Sequence, residues 1–231
     1  MFSYINRITN HAAMNVCANL ASLFDEKGKV LMFHDIGNSA GELNLDVPTF
    51  ESILTKVTKV DLCFLLEGCP EKKFVSITFD DVMSSFYENA YPLLREYSCP
   101  FTLFVNLSLL DTHGFLTTKQ LIELSSDPLC TVGSHGMKHG YFSSYTEDEA
   151  LNDMKESKYR LQQLTGQSID LFAFPYGSFF ACGWTKHKLV RQVYKYGFST
   201  ISAPIVRRGY MPCGFLPRIN VDNNTINNIV L

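Results

Sequence analysis

Short apolar runs alternate with segments of helical pattern along most of this chain, and this alternation constrains its fold more than any other feature. Each run is short enough to form a single strand. The runs lie at residues 29–33, 74–79, 101–105, 130–133, 171–174, 198–202 and 215–219. Strands that alternate with helices are typical of a parallel sheet, because parallel strands need a crossover connection between them. The sequence therefore predicts an α/β fold.

Two of the intervening segments carry clear helix signals. Residues 84–97 have one helical pattern, and Thr146-Glu147-Asp148-Glu149 is typical of a capping box that starts another helix. The buried stripe of this second helix is predicted at Leu151, Met154, Leu161 and Leu164. Gly166 is expected to end the helix, which we interpret as structural. Loops are expected at Gly28 and at residues 37–41 and 223–228.

Length and composition agree with one folded domain over residues 1–231. The chain is 46% hydrophobic and 19% charged, so it can bury a substantial core, and single α/β barrels of about this size are common. Its formal net charge is −3, and it has no Lys/Arg cluster larger than a pair such as Arg207-Arg208. This argues against nucleic acid or an anionic membrane as a partner. The chain also lacks the run of about 18 apolar residues that predicts a membrane-spanning helix.

The cysteines and the N-terminal residues bear on localisation. The chain has 7 cysteines, an odd number without Cys-x-x-Cys spacing, which favours free thiols in a reducing compartment over disulfides or a cysteine-ligated zinc. Residues 1–28 are predicted to form an N-terminal helical extension, with an amphipathic helix at 12–24. The alternative is an export signal, but Asn15 and Asn19 interrupt the apolar stretch and only Arg7 precedes it. We therefore expect a cytoplasmic protein.

Two pairs of polar side chains, each following a predicted strand, indicate a metal site. Asp80 and Asp81 follow the second run, and successive side chains leave a strand on opposite sides. One carboxylate can then bind a metal while the other accepts a proton. His135 and His139 follow the fourth run, at a spacing that would place both on one side of a helical turn. Adjacent aspartates can instead cap a helix or shape a turn, and a histidine pair at this spacing can arise by chance.

Three motifs, in order, carry a family resemblance. They are Thr78-Phe79-Asp80-Asp81, Ser134-His135-Gly136-Met137-Lys138-His139 and Phe172-Ala173-Phe174-Pro175-Tyr176-Gly177. They resemble the leading motifs of the NodB-type polysaccharide deacetylases, carbohydrate esterase family four. Residues 30–35 resemble the strand that opens many such domains, and Leu216-Pro217-Arg218-Ile219 resembles a segment that closes one branch. The resemblance covers residues 29–220 and implies an irregular (β/α)7 barrel with the motifs gathered at the C-terminal ends of its strands.

The chain departs from the family's pattern at four points. Val82 stands where the first motif usually has glycine, and Gly136 where the second usually has serine or threonine, but neither change removes a metal ligand. No arginine directly precedes Pro175-Tyr176. No histidine follows His187 to supply the acid of the common branch.

A rearranged branch, which includes deacetylases of poly-N-acetylglucosamine, carries the missing elements elsewhere, and this chain resembles that branch. On this resemblance His34, beside Asp35, supplies the general acid. Arg218 supplies the guanidinium that orients a catalytic carboxylate through paired hydrogen bonds. Alternatively, His34 is a satisfied core or loop residue and Arg218 is an ordinary surface ion-pair partner.

The resemblance implies the remaining roles. Asp81, His135 and His139 would hold one divalent metal, Asp80 would act as the base, and the backbone amide of Tyr176 would stabilise the oxyanion. Zinc is the first choice for these ligands, which also suit cobalt, nickel or iron. Such an ion lowers the pKa of a bound water and polarises a carbonyl group, as amide hydrolysis requires.

The predicted function is metal-dependent removal of an N-acetyl group from an amino sugar of a glycan or glycan precursor. One alternative is a deformylase of a lipid-linked amino sugar, and another is a catalytically impaired glycan-binding barrel. A metal-dependent phosphoesterase is disfavoured because the sequence lacks a second carboxylate-rich cluster. Several aromatic residues near the motifs can either stack on a sugar ring or belong to the core. They are Tyr141, Phe142, Tyr176, Phe179, Phe180 and Trp184.

Overall fold

The computed structural model describes residues 26–39, 41–67, 74–183, 185–206 and 213–228. Most of the predicted N-terminal extension lies outside the described residues, and so do Trp184 and Arg207-Arg208. Residues 26–28 of that extension belong to the first strand, so the helix prediction is wrong there. Gly28, which was expected in a loop, pairs with Phe74 of a neighbouring strand.

Parallel strands form the main sheet, as the alternating pattern predicts. The strands of the protein are β1 Glu26–Phe33, β2 Asp35–Ile36, β3 Asn44–Leu45, β4 Phe74–Asp80, β5 Phe101–Val105, β6 Cys130–Ser134, β7 Leu171–Ala173, β8 Tyr196–Phe198, β9 Ile205–Val206 and β10 Ile219–Asn220. The strands of the main sheet lie in the order β10-β1-β4-β5-β6-β7-β8, and each neighbouring pair is parallel. Strand β9 pairs antiparallel with β1, and β2 pairs with β3 in a separate small sheet.

The two edges of the main sheet approach each other. Phe198, at the end of β8, makes an isolated parallel bridge with Leu216, which lies shortly before β10. Because β10 pairs with β1 at the opposite edge, the parallel strands curl into an irregular barrel. The predicted (β/α)7 architecture is therefore confirmed.

The last two strand predictions are wrong in their bounds. The sixth predicted strand spans 198–202, but β8 ends at Phe198, after which Thr200 donates its amide to the Gly177 carbonyl in a loop. The seventh predicted strand spans 215–219, but only its last residue lies in β10. Pro217 has no amide hydrogen to donate to a ladder, which explains why the strand does not begin at Leu216.

Helices cover the outside of the barrel. They are α1 Val47–Lys56, α2 Leu62–Glu67, α3 Tyr91–Glu96, α4 Thr118–Ser125, α5 Glu147–Thr165, α6 Phe179–Cys182 and α7 Lys186–Val193. The helix predicted at 84–97 is present but contains a π-helical segment, Phe86–Ala90, before α3. Pro92 accounts for the change of pitch, because it cannot donate to the carbonyl four residues earlier.

Helix α5 confirms the capping signals but not the whole predicted stripe. Thr146 and Glu149 form a reciprocal capping box, and Gly166 ends the helix with φ 69°. The buried residues of the helix are Ala150, Met154, Ser157 and Leu161, whereas Leu151 and Leu164 are only half-buried. The observed stripe follows the 3.6-residue period more closely than the leucines do. Two polar residues of α5, the buried Ser157 and the half-buried Asp153, therefore face the barrel, where they form hydrogen bonds with Ser134 and Met137.

The apolar core consists of two clusters, one on the outer face of the sheet and one inside the barrel. The larger cluster packs the outer face of the sheet against the helices, and it includes Phe33, Phe79 and Phe86. The smaller cluster fills the barrel interior with Val30, Phe104 and Phe198 and is covered by leucines of α2. Polar side chains therefore remain at the C-terminal ends of the strands. Among the described residues, no helix is long and apolar enough to cross a membrane.

The described cysteines agree with the prediction of free thiols. Cys63, Cys99, Cys130, Cys182 and Cys213 form no disulfides. Burial raises the pKa of Cys63 to about 11 and that of Cys99 to about 12, so both thiols are protonated at neutral pH. The other two cysteines, Cys17 and Cys69, lie outside the described residues.

Candidate functional site

The first motif leaves its strand through an unusual backbone turn. Asp80 is the last residue of β4, and Asp81 and Val82 both have positive φ, at 60° and 57°. The Val82 amide donates to the Asp80 carbonyl at 2.6 Å, which closes the turn. A positive φ at a buried β-branched residue is rare and costs roughly 1–2 kcal/mol. This turn separates the two carboxylates, as the sequence predicts for adjacent aspartates at a strand end.

The second motif places its histidines through a loop and not through a helical turn. His135 directly follows β6, and Gly136 has φ 83°, outside the helical region. The helical-turn prediction is therefore wrong, although both imidazoles still converge. His135 is buried, and its Nδ1 lies 2.8 Å from the Ala173 carbonyl oxygen, so Nδ1 is the protonated nitrogen. This bond leaves Nε2 free to act as a ligand.

Asp81, His135 and His139 converge on one point. Asp81 Oδ1 lies 3.7 Å from His135 Nε2 and 3.3 Å from His139 Nε2. The three ligand atoms all lie within 4.8 Å of one another. Asp81 Oδ1 is buried and has no hydrogen-bond partner among the described residues. A buried carboxylate oxygen that faces two imidazole nitrogens without a partner suits a divalent cation.

The ionisation of these groups also suits a cation. Burial lowers the pKa of both His135 and His139, which favours the neutral imidazoles that bind metals. Burial raises the pKa of Asp81; His135 opposes this shift and Asp80 adds to it. A cation between these groups would offset that cost and favour the Asp81 carboxylate.

Asp80 forms a buried, paired interaction with Arg218. Arg218 Nη1 and Nη2 donate to the two Asp80 carboxylate oxygens at 2.6 and 2.7 Å. Arg218 is 0% exposed, and its guanidinium lies 5.0 Å from the Phe104 ring centroid. Arg218 is thus a buried partner of the aspartate, and the alternative of a surface ion pair is wrong. Burial alone would raise the pKa of Asp80, but the Arg218 charge and hydrogen bonds outweigh it and lower that pKa to about 2.

His34 lies beside Asp80 at the same end of the barrel. Strands β1 and β4 pair in register up to Phe33 and Phe79, so the next residues, His34 and Asp80, are neighbours. Burial lowers the pKa of His34, and its Nδ1 has no partner within the described chain. Its sequence neighbour Asp35 instead accepts hydrogen bonds from the Ser39 and Ser85 hydroxyls. His34 therefore adjoins the site, and no described carboxylate is hydrogen-bonded to its Nδ1.

A row of rings leads outward from the site; His139, Tyr176 and Tyr141 are called the aromatic row. The His139 and Tyr176 ring centroids are 4.6 Å apart, and Tyr176 stacks on Tyr141 at 4.2 Å with an interplanar angle of 8°. Tyr176 and Tyr141 are 46% and 48% exposed, so the row reaches solvent. Phe179 and Phe180 are also exposed, whereas Phe142 belongs to the core.

Several residues that support the site were not singled out from the sequence. Asn106 is fully buried and donates its side-chain amide to the His135 carbonyl at 3.0 Å. The Ala173 carbonyl orients the His135 ring, and Asp153 contacts the loop between the histidines. Asn106 directly follows β5, and this position after a predicted strand is the sequence feature that could have indicated a role at the site. Nothing in the sequence distinguishes Asp153 from the other acidic residues of α5.

Comparison with known proteins identifies the family. The family model described as polysaccharide deacetylase matches residues 67–200, which is more than half of the chain. The poly-beta-1,6-N-acetyl-D-glucosamine N-deacetylase of Staphylococcus epidermidis is 30% identical over 119 residues, which are 46% of this chain and 41% of that protein. The chain belongs to the polysaccharide deacetylase family, as its motifs predict. It spans between 41% and 61% of the length of the curated relatives that it matches.

Solved structures share the fold. The deacetylase PplD of Streptococcus pyogenes, in complex with acetate, is 25% identical with a TM-score of 0.75 and covers 85% of this chain and 93% of its own. IcaB from Ammonifex degensii is 23% identical with a TM-score of 0.76 and covers 87% of this chain and 94% of its own. The barrel is therefore of the NodB type that the motifs predict.

Proposed function

We propose that this protein is a metal-dependent hydrolase that removes an N-acetyl group from an amino sugar of a glycan. The observation that carries the proposal is the unpartnered, buried Asp81 Oδ1 facing His135 and His139, next to a second carboxylate that Arg218 holds in place. The glycan substrate is supported by the family and by the relative that acts on poly-beta-1,6-N-acetyl-D-glucosamine.

Asp81, His135 and His139 would hold one divalent ion, and zinc suits this ligand set best. When bound, the ion would supply Lewis-acid polarisation of the acyl carbonyl and a lowered pKa for water. The protein's own part begins with Asp80. The pKa of Asp80 is about 2, so its carboxylate is ionised at neutral pH, which is the form that a general base requires. Arg218 fixes that carboxylate through two hydrogen bonds, so its orientation is set before substrate binds.

The leaving amine needs a proton, and protonated His34 is the proposed donor; burial disfavours this form, whereas the negative charge of Asp80 favours it. It lies beside Asp80 at the open end of the barrel. Across the site, the backbone amide of Tyr176 is the proposed donor to the oxyanion, from a turn with φ 61° that follows Pro175. On this proposal Arg218 and His34 take the roles of the two elements missing from the common motifs, and the hydrogen bonds from Arg218 to Asp80 favour it over a catalytically impaired barrel.

Replacing His34 by alanine is expected to lower turnover of an N-acetylglucosamine oligomer by roughly a hundredfold or more, the usual size of a lost proton transfer. An activated acetyl ester, whose leaving group needs no proton, should be affected less. Metal content should not change, because His34 is not among the proposed ligands.

The matched control is His113→Ala, which removes an exposed histidine. Acetate release is measured on both substrates. If both rates fall equally in the His34 variant, His34 is not the acid. If the parent protein releases no acyl group from any amino sugar, the proposed function itself is wrong.

The aromatic row favours an oligomeric substrate. Tyr141 presents an exposed ring at the end of a stack that begins at a proposed metal ligand, so a sugar next to the reacting one can pack against it. Tyr141→Ala should lower kcat/KM about five- to tenfold on a pentamer of N-acetylglucosamine, since such a contact contributes on the order of 1 kcal/mol. The variant should leave the rate on an acetylated monosaccharide unchanged.

Tyr159→Ala is the control for that variant, because Tyr159 is 60% exposed on α5 and lies outside the aromatic row. Rates are compared across chain lengths from one sugar to five. An equal effect of Tyr141→Ala at every length would show that the ring does not bind a neighbouring sugar.

A further inference from the structure

Helix α5 contacts the loop that carries the two histidines through one carboxylate. Asp153 Oδ1 accepts the Met137 amide hydrogen at 3.0 Å, and Asp153 Oδ2 is 3.3 Å from the Lys138 nitrogen, which donates to it. These amides belong to consecutive residues between His135 and His139. Both carboxylate oxygens of Asp153 are thus used to hold the backbone that separates the proposed ligands.

The conformation of Gly136 makes this contact possible. Its φ of 83° turns the chain toward α5, and a Cβ atom built on Gly136 would lie 2.8 Å from Asp153 Oδ1. A side chain at residue 136 would therefore collide with the carboxylate and would also strain the backbone. This is the position at which the chain departs from the family's second motif. The absence of a side chain at Gly136 therefore leaves room for the Asp153 carboxylate.

A second contact from α5 fixes the start of the same loop. Gly136 donates its amide to Ser134 Oγ at 3.1 Å, and that hydroxyl donates to Ser157 Oγ at 3.0 Å. Ser157 lies one helical turn after Asp153, and it is completely buried. The loop is therefore held at its start through Ser157 and in its middle through Asp153.

We propose that Asp153 is a positioning residue for the metal site, which sets the path of residues 136–138 so that His139 Nε2 meets Asp81 Oδ1. The proposal rests on the proposed function, since it assumes that these groups bind a metal. His135 is fixed independently by the Ala173 carbonyl and by Asn106. His139 is one-quarter exposed at the far end of the loop, so its position depends most on the backbone that Asp153 holds.

A purely structural role for Asp153 would alter stability alone, whereas a positioning role predicts a selective loss of metal affinity. Zinc dissociation constants of the purified protein, measured by competition with a chromogenic chelator, separate the two. Asp153→Ala should weaken zinc binding about ten- to a hundredfold, the usual cost of losing an outer partner of a metal site. Asp153→Asn, which keeps one acceptor oxygen, should fall between the alanine variant and the parent.

Asp148→Ala is the matched control, because Asp148 is an exposed aspartate on the same helix, and it should bind zinc as the parent does. Thermal unfolding of each metal-free variant shows whether it is folded, and if Asp153→Ala does not fold, Asp153→Asn decides the question. Parental zinc affinity in a folded Asp153 variant would overturn this inference alone. A parent protein that binds no divalent ion would overturn the proposed function, and this inference with it.

Discussion

The His135→Ala and His139→Ala variants are expected to lose the divalent ion that the parent protein binds at about one per chain. Each substitution removes one of three ligand atoms that lie within 4.8 Å of one another. Affinity should fall by more than about a hundredfold, because losing even an outer partner of a metal site costs roughly 10- to 100-fold. Metal analysis of the purified variants by mass spectrometry measures the effect.

The two variants should differ in stability. His135 is 2% exposed and is hydrogen-bonded to the Ala173 carbonyl, so its removal leaves a cavity and an unpaired acceptor. His139 is partly exposed, so His139→Ala should lose metal with little change in the Tm of the metal-free protein. This makes His139→Ala the cleaner test, with His113→Ala as its control. If His139→Ala retained metal as the parent does, the ligand set would be wrong.

Asp80→Asn should retain metal and lose hydrolysis, whereas Asp81→Asn should lose both. Asp81 Oδ1 faces the two histidines, while both Asp80 oxygens are bonded to Arg218. As the proposed base, Asp80 should account for roughly 10²–10⁴-fold in turnover. Metal content and acetate release, measured together on both variants, separate the ligand from the base. Equal metal loss in the two variants would contradict this division of roles.

The Asp80 variant needs a stability control, because asparagine leaves the buried Arg218 charge without a counter-charge. Its Tm should therefore fall, and activity must be assayed well below that Tm. In the parent protein, the ion pair between Asp80 and Arg218 makes a contribution to stability that depends on pH. Since the pKa of Asp80 is lowered from 3.8 to about 2, this contribution is present above about pH 4 and is lost as the pH falls through about 2.

The sequence predicted the parallel barrel, and it predicted the residues that converge in the candidate metal site, because both depend on local pattern. Apolar runs marked the strands; Asp80 and Asp81 lie at the end of β4, and His135 directly follows β6. Parallel strands bring such residues to one end of a barrel whatever the intervening loops do. The errors were local too: Pro217 shortened the last strand, and Gly136 turned the expected helical turn into a loop.

Pairings between distant parts of the chain were not accessible from pattern. Arg218 and Asp80 are 138 residues apart, and only the family resemblance suggested that they meet. Asp153 gave no signal at all, because a carboxylate on a helix with many exposed charges looks like part of its solvated face. Its role depends on how α5 packs against the loop, which is set by the tertiary fold.

The most direct test of the proposed function is acetate release from a defined β-1,6-linked N-acetylglucosamine oligomer by the purified protein. It is measured as isolated, after removal of metal by a chelator, and after zinc is returned, with Asp80→Asn as the matched inactive variant. The proposal predicts release that disappears with the metal, returns with zinc and is nearly absent in Asp80→Asn. Release that persists without metal, or the absence of release by the zinc-loaded parent, would contradict it.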